Sequence, residues 1–309
     1  LQVEKNIKIM FSTIPYDEYE LNLLSNCQLC PRKCGVNRLK GEKGFCNTGA
    51  DINISLVCNH KGEEPSISGE KGVCNVFFAH CNLQCVYCQN KQISNNKKEI
   101  KNSYADFETL IKEIKNILKE SENVLGFVSP SHSIPLMRAI IRTLHSQDIY
   151  PKIIYNTNAY DNPDILRDLE NIIDIYLPDY KYSDNLLAKE LSLAENYPEV
   201  ALKAIEEMYR QKGKKGVIVR HLILPKQINN SKKALWNLSD ISFNLNISLM
   251  SQYTPCEKYK QEYLNQYLSE KKYQEVCDYF YEIGLSQGFF QELCSQNNLV
   301  PDFDSNSWS

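Results

Sequence analysis

Three cysteines within eight residues, Cys81, Cys85 and Cys88, constrain this chain more than any other feature. They stand in the spacing C-x3-C-x2-C, just after the apolar run Val73-Cys74-Asn75-Val76-Phe77-Phe78-Ala79. That run predicts a buried strand, which delivers the thiols from one end. Three thiolates from one short loop suit three irons of a four-iron cube, because iron in such clusters prefers thiolate sulfur. The fourth iron would stay open to a ligand from outside the protein. The alternative is zinc, which normally takes a fourth protein ligand; His80, next to the loop, is the candidate.

Twelve cysteines would be many for disulfides in a reducing compartment, and their grouping favours metal over bridging. A second group, Cys27-Gln28-Leu29-Cys30-Pro31-Arg32-Lys33-Cys34 with Cys46, precedes the first. Pro and Gly between these cysteines make tight turns. Four cysteines in this order close a tetrahedral zinc site or hold an auxiliary cluster. Cys256, Cys277 and Cys294 are isolated and read as structural.

The 309 residues have room for one large α/β domain with a small appendage. No apolar run approaches the ~18 residues of a membrane span, and no leader with a cleavage site is evident, so the cytoplasm is the expected location. Lys and Arg number 35 against 38 Asp and Glu, and a formal charge of −3 gives no global reason to bind nucleic acid or anionic membrane. The first residue is Leu1, which reads as a fragment or an unusual start codon, with Met10 as an alternative start.

Beyond Cys88 strands and helices alternate. Phe107, Leu110, Ile111, Ile114, Ile117 and Leu118 share a helical face, as do Leu136, Met137, Ile140, Ile141 and Leu144. Further helices are expected over 163–169, 198–211 with Gly213 as the stop, and 274–283. Strands are expected over 123–128, 152–155, 172–177, 217–224 and 246–253, six with the one before Cys81. Repeated βα units predict a parallel sheet with right-handed crossovers. Six strands are too few for a closed eight-strand barrel but enough for an open, curved one. The expected domains are a cysteine-rich extension over 1–60, the α/β domain over 61–294 and a polar, mobile tail over 295–309.

The C-x3-C-x2-C spacing with Tyr87 before the third cysteine resembles the signature of the radical S-adenosylmethionine (radical SAM) superfamily. The runs Gly62-Glu63-Glu64-Pro65, Tyr176-Leu177-Pro178-Asp179-Tyr180-Lys181 and Met250-Ser251-Gln252-Tyr253 extend the likeness over roughly residues 25 to 292. They resemble a branch related to pyruvate formate-lyase activating enzyme. The resemblance implies a partial (β/α)6 barrel of the radical SAM type, with its chemistry at the C-terminal strand ends. It implies a [4Fe–4S] cluster on Cys81, Cys85 and Cys88, and S-adenosylmethionine (AdoMet) on the open iron. Reductive cleavage would then give a 5′-deoxyadenosyl radical that abstracts hydrogen from a substrate. It further implies an electron donor such as flavodoxin or ferredoxin, and a protein or peptide substrate as for the glycyl-radical activases.

Polar residues at the expected strand ends are the candidates for AdoMet. Ser131 and His132 stand where many relatives carry the Gly and Glu of a Gly-Gly-Glu segment. Asp179 and Lys181, two residues apart and so on one face, resemble the activases' Asp-x-Lys. Asn156, beside Thr157, replaces the Asp of their Asp-Thr-Asn-Gly. Arg220 is placed to face a carboxylate. Plainer roles remain open: His132 as a helix-entry residue, Asp179 with Lys181 as a solvated ion pair, Arg220 as a structural partner. The competing function is a non-catalytic iron–sulfur or zinc protein, a metal carrier or docking module, which would bind metal without cleaving AdoMet.

Overall fold

The structure, a computed structural model, describes residues 14–100, 103–292, 301–303 and 307–308. Met10, Cys294 and residues 295–300, 304–306 and 309 of the expected tail lie outside the described residues. The chain divides into two compact units, residues 1–82 with 93–154 and residues 83–92 with 155–309.

The first unit begins with α1 (Glu18–Ser25), set by an Asp17 capping box. Asp17 Oδ1 accepts the Glu20 N–H at 2.8 Å and Glu20 Oε2 accepts the Asp17 N–H at 2.9 Å. Strand β1 (Ile54–His60) runs antiparallel to β2 (Val73–Phe78), which is buried along its whole length as its unbroken apolar run requires. Helix α2 (Phe107–Glu120) starts on Asp106, whose carboxylate accepts the Thr109 N–H at 2.7 Å, and it buries the expected face except for Ile117, which stays half-buried at its edge. Strand β3 (Val124–Val128) pairs with β2 in parallel. There Gly126 faces Asn75, and a Cβ at 126 would stand 2.0 Å from Asn75 Oδ1. Glycine is therefore what lets Asn75 reach Glu63, 3.0 Å away. Helix α3 (Ile134–His145) buries Leu136, Met137, Ile140, Ile141 and Leu144, and β4 (Lys152–Thr157) follows β3 in the strand order. Arg142 of α3 donates through both terminal nitrogens to the fully buried Glu20, which fixes α1 just ahead of Cys27.

Strand β4 finishes in the second unit, where the Asp179 N–H donates to the Thr157 carbonyl at 2.8 Å. That bond brings the β4 end beside β5 (Ile175–Pro178), with α4 (Pro163–Arg167) between them in sequence. Helices α5 (Asn185–Ser192) and α6 (Tyr197–Gly216) lead to β6 (Ile218–Leu222). Parallel bridges Tyr176–Val217 and Asp179–Arg220 join β5 to β6. After α7 (Ile228–Ile241), β7 (Asn246–Met250) pairs with β6 in parallel. After α8 (Glu270–Glu282), β8 (Gly288–Phe290) pairs with β7 in parallel. The backbone of α6 leaves helical angles at Gly213 (φ 57°), the expected stop, before one more turn. Tyr155, Tyr176, Tyr180, Tyr182 and Tyr197 are fully buried in this unit.

Strands β2 to β7 with their helical connections make this an α/β fold of the partial (β/α)6 barrel class. Among the described residues four strands are additional to the expected six, two of them the short antiparallel pair Pro301–Asp302 and Ser307–Trp308 in the expected tail. The other two are β1, which lies inside the stretch assigned to the extension, and β8. No described helix is long and apolar enough to cross a membrane.

Candidate radical-chemistry site

The loop after β2 leaves the strand through His80, which adopts a left-handed φ of 65°. Asn96 then fixes Cys81 from both sides: Oδ1 accepts its N–H at 3.1 Å and Nδ2 donates to its carbonyl at 2.8 Å. The next stretch, within the second unit, is held by the end of α5. Gln84 N–H donates to Ser192 O at 3.1 Å and Val86 N–H to Leu191 O at 2.8 Å. The Cys88 N–H returns to the Cys85 carbonyl at 3.2 Å, a tight turn that brings two thiols to one side.

A chain of hydroxyls meets one of these sulfurs. Ser192 Oγ donates to Cys85 Sγ at 2.9 Å, Tyr182 OH lies 2.6 Å from Ser192 Oγ, and Tyr87 OH lies 2.6 Å from Tyr182 OH. Burial holds both phenols well above the ordinary tyrosine range, so they stay protonated. Burial also pushes the Cys85 thiol up, to about 11, while Lys181 and the Ser192 hydroxyl act against it by favouring the thiolate.

Lys181 belongs to an ionic array at the ends of β4, β5 and β6. Its Nζ donates to Asp179 Oδ2 at 2.7 Å, and Arg220 Nε donates to Asp179 Oδ1 at 3.1 Å. Arg220 Nη2 also donates to Asn156 Oδ1. Burial opposes charge on Asp179, but Lys181 and Arg220 outweigh it and hold the carboxyl below the usual carboxylate range. The Asp179 and Lys181 side chains are each 18% exposed, so this is not a solvated surface pair. Tyr197, fully buried, accepts the Lys181 N–H at 3.0 Å and has its hydroxyl 2.6 Å from the Asp179 carbonyl, which fixes the backbone of the pair. Thr157 points elsewhere: its hydroxyl donates to the buried Asp161 at 2.5 Å, which also receives Tyr155 OH at 2.7 Å.

Ser131 and His132 lie in the first unit, in a single 3-10 turn after β3, both buried. Burial drives His132 down to about 3, so its ring is neutral, and Nε2 donates to the Ala79 carbonyl at 2.9 Å. That bond braces the strand end just before Cys81. The cysteines of the expected extension, called the leader cysteines below, are also in this unit; Cys27, Cys30 and Cys46 are buried and Cys34 is exposed. Cys30 is pushed up to about 12 by burial, with further repulsion from Cys46, Cys27 and Cys34. No group of three or more His, Cys, Asp or Glu side chains among the described residues surrounds a point at single-ion distances. Cys277 is buried, and Cys256 is exposed with Cys88 within electrostatic reach.

The structure thus brings Cys85, Cys88, Asn156, Asp179, Lys181 and Arg220 together in one unit, with Tyr87 linked to Cys85 through hydroxyls. Ser192, Tyr182 and Tyr197 escaped the sequence reading because Ser and Tyr in helices and strand ends carry no spacing signal. A search for hydroxyls flanking Asp179-x-Lys181 would have found only Tyr182.

A protein-family model described as the radical SAM superfamily matches residues 75–234. An uncharacterized protein of Methanocaldococcus jannaschii is 30% identical over 250 residues, 79% of this chain and 70% of that protein. Among solved structures, native anSMEcpe with bound AdoMet matches with a TM-score of 0.47 and 15% identity over 68% of this chain. This chain spans 61% of that one. A domain of pyruvate-formate lyase-activating enzyme from Bacteroides vulgatus matches with a TM-score of 0.37 and 17% identity, over 50% of this chain and 88% of that domain.

Proposed function

The chain belongs to the radical SAM superfamily, and from that premise we propose that it is an enzyme using a [4Fe–4S] cluster and AdoMet for hydrogen abstraction. The residues present fit the group. Cys81, Cys85 and Cys88 carry thiols outside any disulfide on one short loop, a soft donor set of the kind iron–sulfur clusters take. When bound, the cluster and AdoMet supply a reductively generated 5′-deoxyadenosyl radical.

The chain's own residues do the rest. Cys81, Cys85 and Cys88 hold the cluster, and Ser192 gives a hydrogen bond to one ligand sulfur. Lys181 supplies a cation for the AdoMet carboxylate, and Asp179 and Arg220 hold that cation in place. The single observation that carries the reading is this ionic array in the same unit as Cys85, with the Lys181 cation favouring the Cys85 thiolate. A metal carrier has no use for three strand ends converging on one ligand. Ser131 and His132 remain candidates for the amino end of AdoMet through the turn they form.

The proposed substrate is a protein or peptide, on the likeness of Asp179-x-Lys181 to the activases, with flavodoxin or ferredoxin as electron source in the cytoplasm. A second metal at Cys27, Cys30, Cys34 and Cys46, zinc or an auxiliary cluster, completes the reading. The test is anaerobic reconstitution with iron and sulfide, followed by dithionite and AdoMet. The wild type should form 5′-deoxyadenosine and Cys88→Ala should form none. Cleavage retained in Cys88→Ala, or metal binding with no cleavage in the wild type, would favour the carrier instead.

A further inference from the structure

The first unit buries a charge that the radical chemistry does not use. Arg38, in a 3-10 turn between the leader cysteines, is 3% exposed, and a guanidinium does not give up its proton in a protein. Such a charge is tolerated in an interior only when a counter-charge meets it. Arg38 Nη1 donates to the His132 carbonyl at 2.7 Å, Nη2 reaches Cys46 Sγ at 3.5 Å, and Nε has no partner. The groups able to carry negative charge that act on it most strongly are the sulfurs of Cys46, Cys27 and Cys30. A neutral thiol accepts weakly and offers no charge, whereas a metal-bound thiolate offers both.

We propose that Cys27, Cys30, Cys34 and Cys46 form an anionic four-thiolate metal centre and that Arg38 is its buried counter-cation. With zinc or with an iron–sulfur cluster, four thiolates outweigh the metal charge, so a negative centre remains for the guanidinium. The local backbone is built for it. The Cys27 N–H donates to Val36 O at 3.0 Å and the Gly35 N–H to Cys27 O at 2.9 Å, closing a turn around Cys30 and Cys34. The Phe45 N–H points at Cys34 Sγ, 3.5 Å away, and a Cβ at Gly44 would lie 2.7 Å from that sulfur.

The centre is joined to the first cluster cysteine inside the same unit. Asn96 Nδ2 donates to both the Phe45 and Cys81 carbonyls at 2.8 Å, and Arg32 donates to the Asn82 carbonyl at 3.2 Å. The Arg32 guanidinium also covers the Phe45 ring at 3.7 Å. Metal in the leader therefore sets the backbone that presents Cys81. This inference deepens the proposed second metal site and does not depend on AdoMet cleavage.

The test uses the full chain with Cys81, Cys85 and Cys88 all replaced by Ala, so that only leader metal is counted. Elemental and sulfide analysis should find zinc, or iron with sulfide, bound to this chain; a metal-free folded chain overturns the proposal. In that background Arg38→Met should release metal to a competing chelator about tenfold faster, with Arg38→Lys in between. An unchanged release rate in Arg38→Met overturns the counter-cation role. Should Arg38→Met fail to fold, it is combined with Cys27→Ala and Cys46→Ala. Without those thiolates Arg38 is an unpaired buried charge, so the added Arg38→Met should raise the melting temperature. A lowered or unchanged melting temperature there contradicts the pairing.

Discussion

Ser192 Oγ sits 2.9 Å from Cys85 Sγ and 2.6 Å from Tyr182 OH, and a hydroxyl has one proton to give. If it goes to the sulfur, Tyr182 must donate to Ser192 and Tyr87 to Tyr182, so three hydroxyls are ordered toward Cys85. A hydrogen bond to a cluster sulfur stabilises the more negative, reduced state and raises the reduction potential. Ser192→Ala should lower the potential of the reconstituted cluster by on the order of 50 mV, one hydrogen bond's worth for a one-electron couple. Potentiometric titration followed by electron paramagnetic resonance reads this directly, and a variant with the wild-type potential would sink the relay. Tyr87 was legible from its place before Cys88. Ser192 was not, because its contact with Cys85 spans 107 residues and depends on the docking of α5.

Helix α1 illustrates what an element contributes beyond its own hydrogen bonds. It is two turns long, and isolated helices of that length do not persist in water. The α3 clamp holds it: Glu20 is fully buried and receives both Arg142 terminal nitrogens, with Arg138 Nε at 3.8 Å. Glu20→Gln removes the charge and leaves Arg142 without its buried partner. The expected loss is roughly 3 kcal/mol of unfolding free energy, measured by urea titration; a change under about 0.5 kcal/mol, the level of a surface substitution, would show that the clamp is incidental. The elements that the sequence made plain are those with a clear period or an unbroken apolar run, such as α2, α3 and β2. Helix α7 lacked that signal because its inward side includes Asn230 and Ser231, satisfied by tertiary bonds, and Ser239, whose hydroxyl donates back to the Trp236 carbonyl. Strand β1 was hidden for another reason: only Ile54 and Val57 are buried, so neither face shows a continuous apolar stripe, and it follows a cysteine-rich loop. Strand β8 has three residues, too few for any pattern.

At the scale of the whole chain, acid should act on a buried histidine. His221 is fully buried, with Nδ1 donating to Tyr180 O at 2.6 Å and Nε2 accepting from Ser231 Oγ at 2.9 Å. Burial lowers it to about 4, so the unfolded chain, with an ordinary value near 6.5, takes up the proton first as pH falls. Stability is therefore intact above about pH 6.5, falls between there and about pH 4, and gains no further loss from this group below. The full effect is on the order of 3 kcal/mol. Melting curves of metal-free protein across that range should show the fall, and His221→Gln, weaker at neutral pH, should lose less on acidification. An equal acid loss in both would assign the titration elsewhere.

The fold class could be read from the strand and helix periods, and the proposed cysteine ligands from their spacing, because both signals are local. The ionic array was legible only in part: Asp179-x-Lys181 is local, but its closure by Arg220 and Asn156 needed three strands in register. The central claim is that Cys81, Cys85 and Cys88 hold a cluster that AdoMet reaches. Low-temperature electron paramagnetic resonance of the dithionite-reduced, iron-loaded chain, recorded before and after AdoMet is added, tests it most directly. The reduced-cluster signal should change shape on addition, and a spectrum that AdoMet leaves untouched would contradict the account.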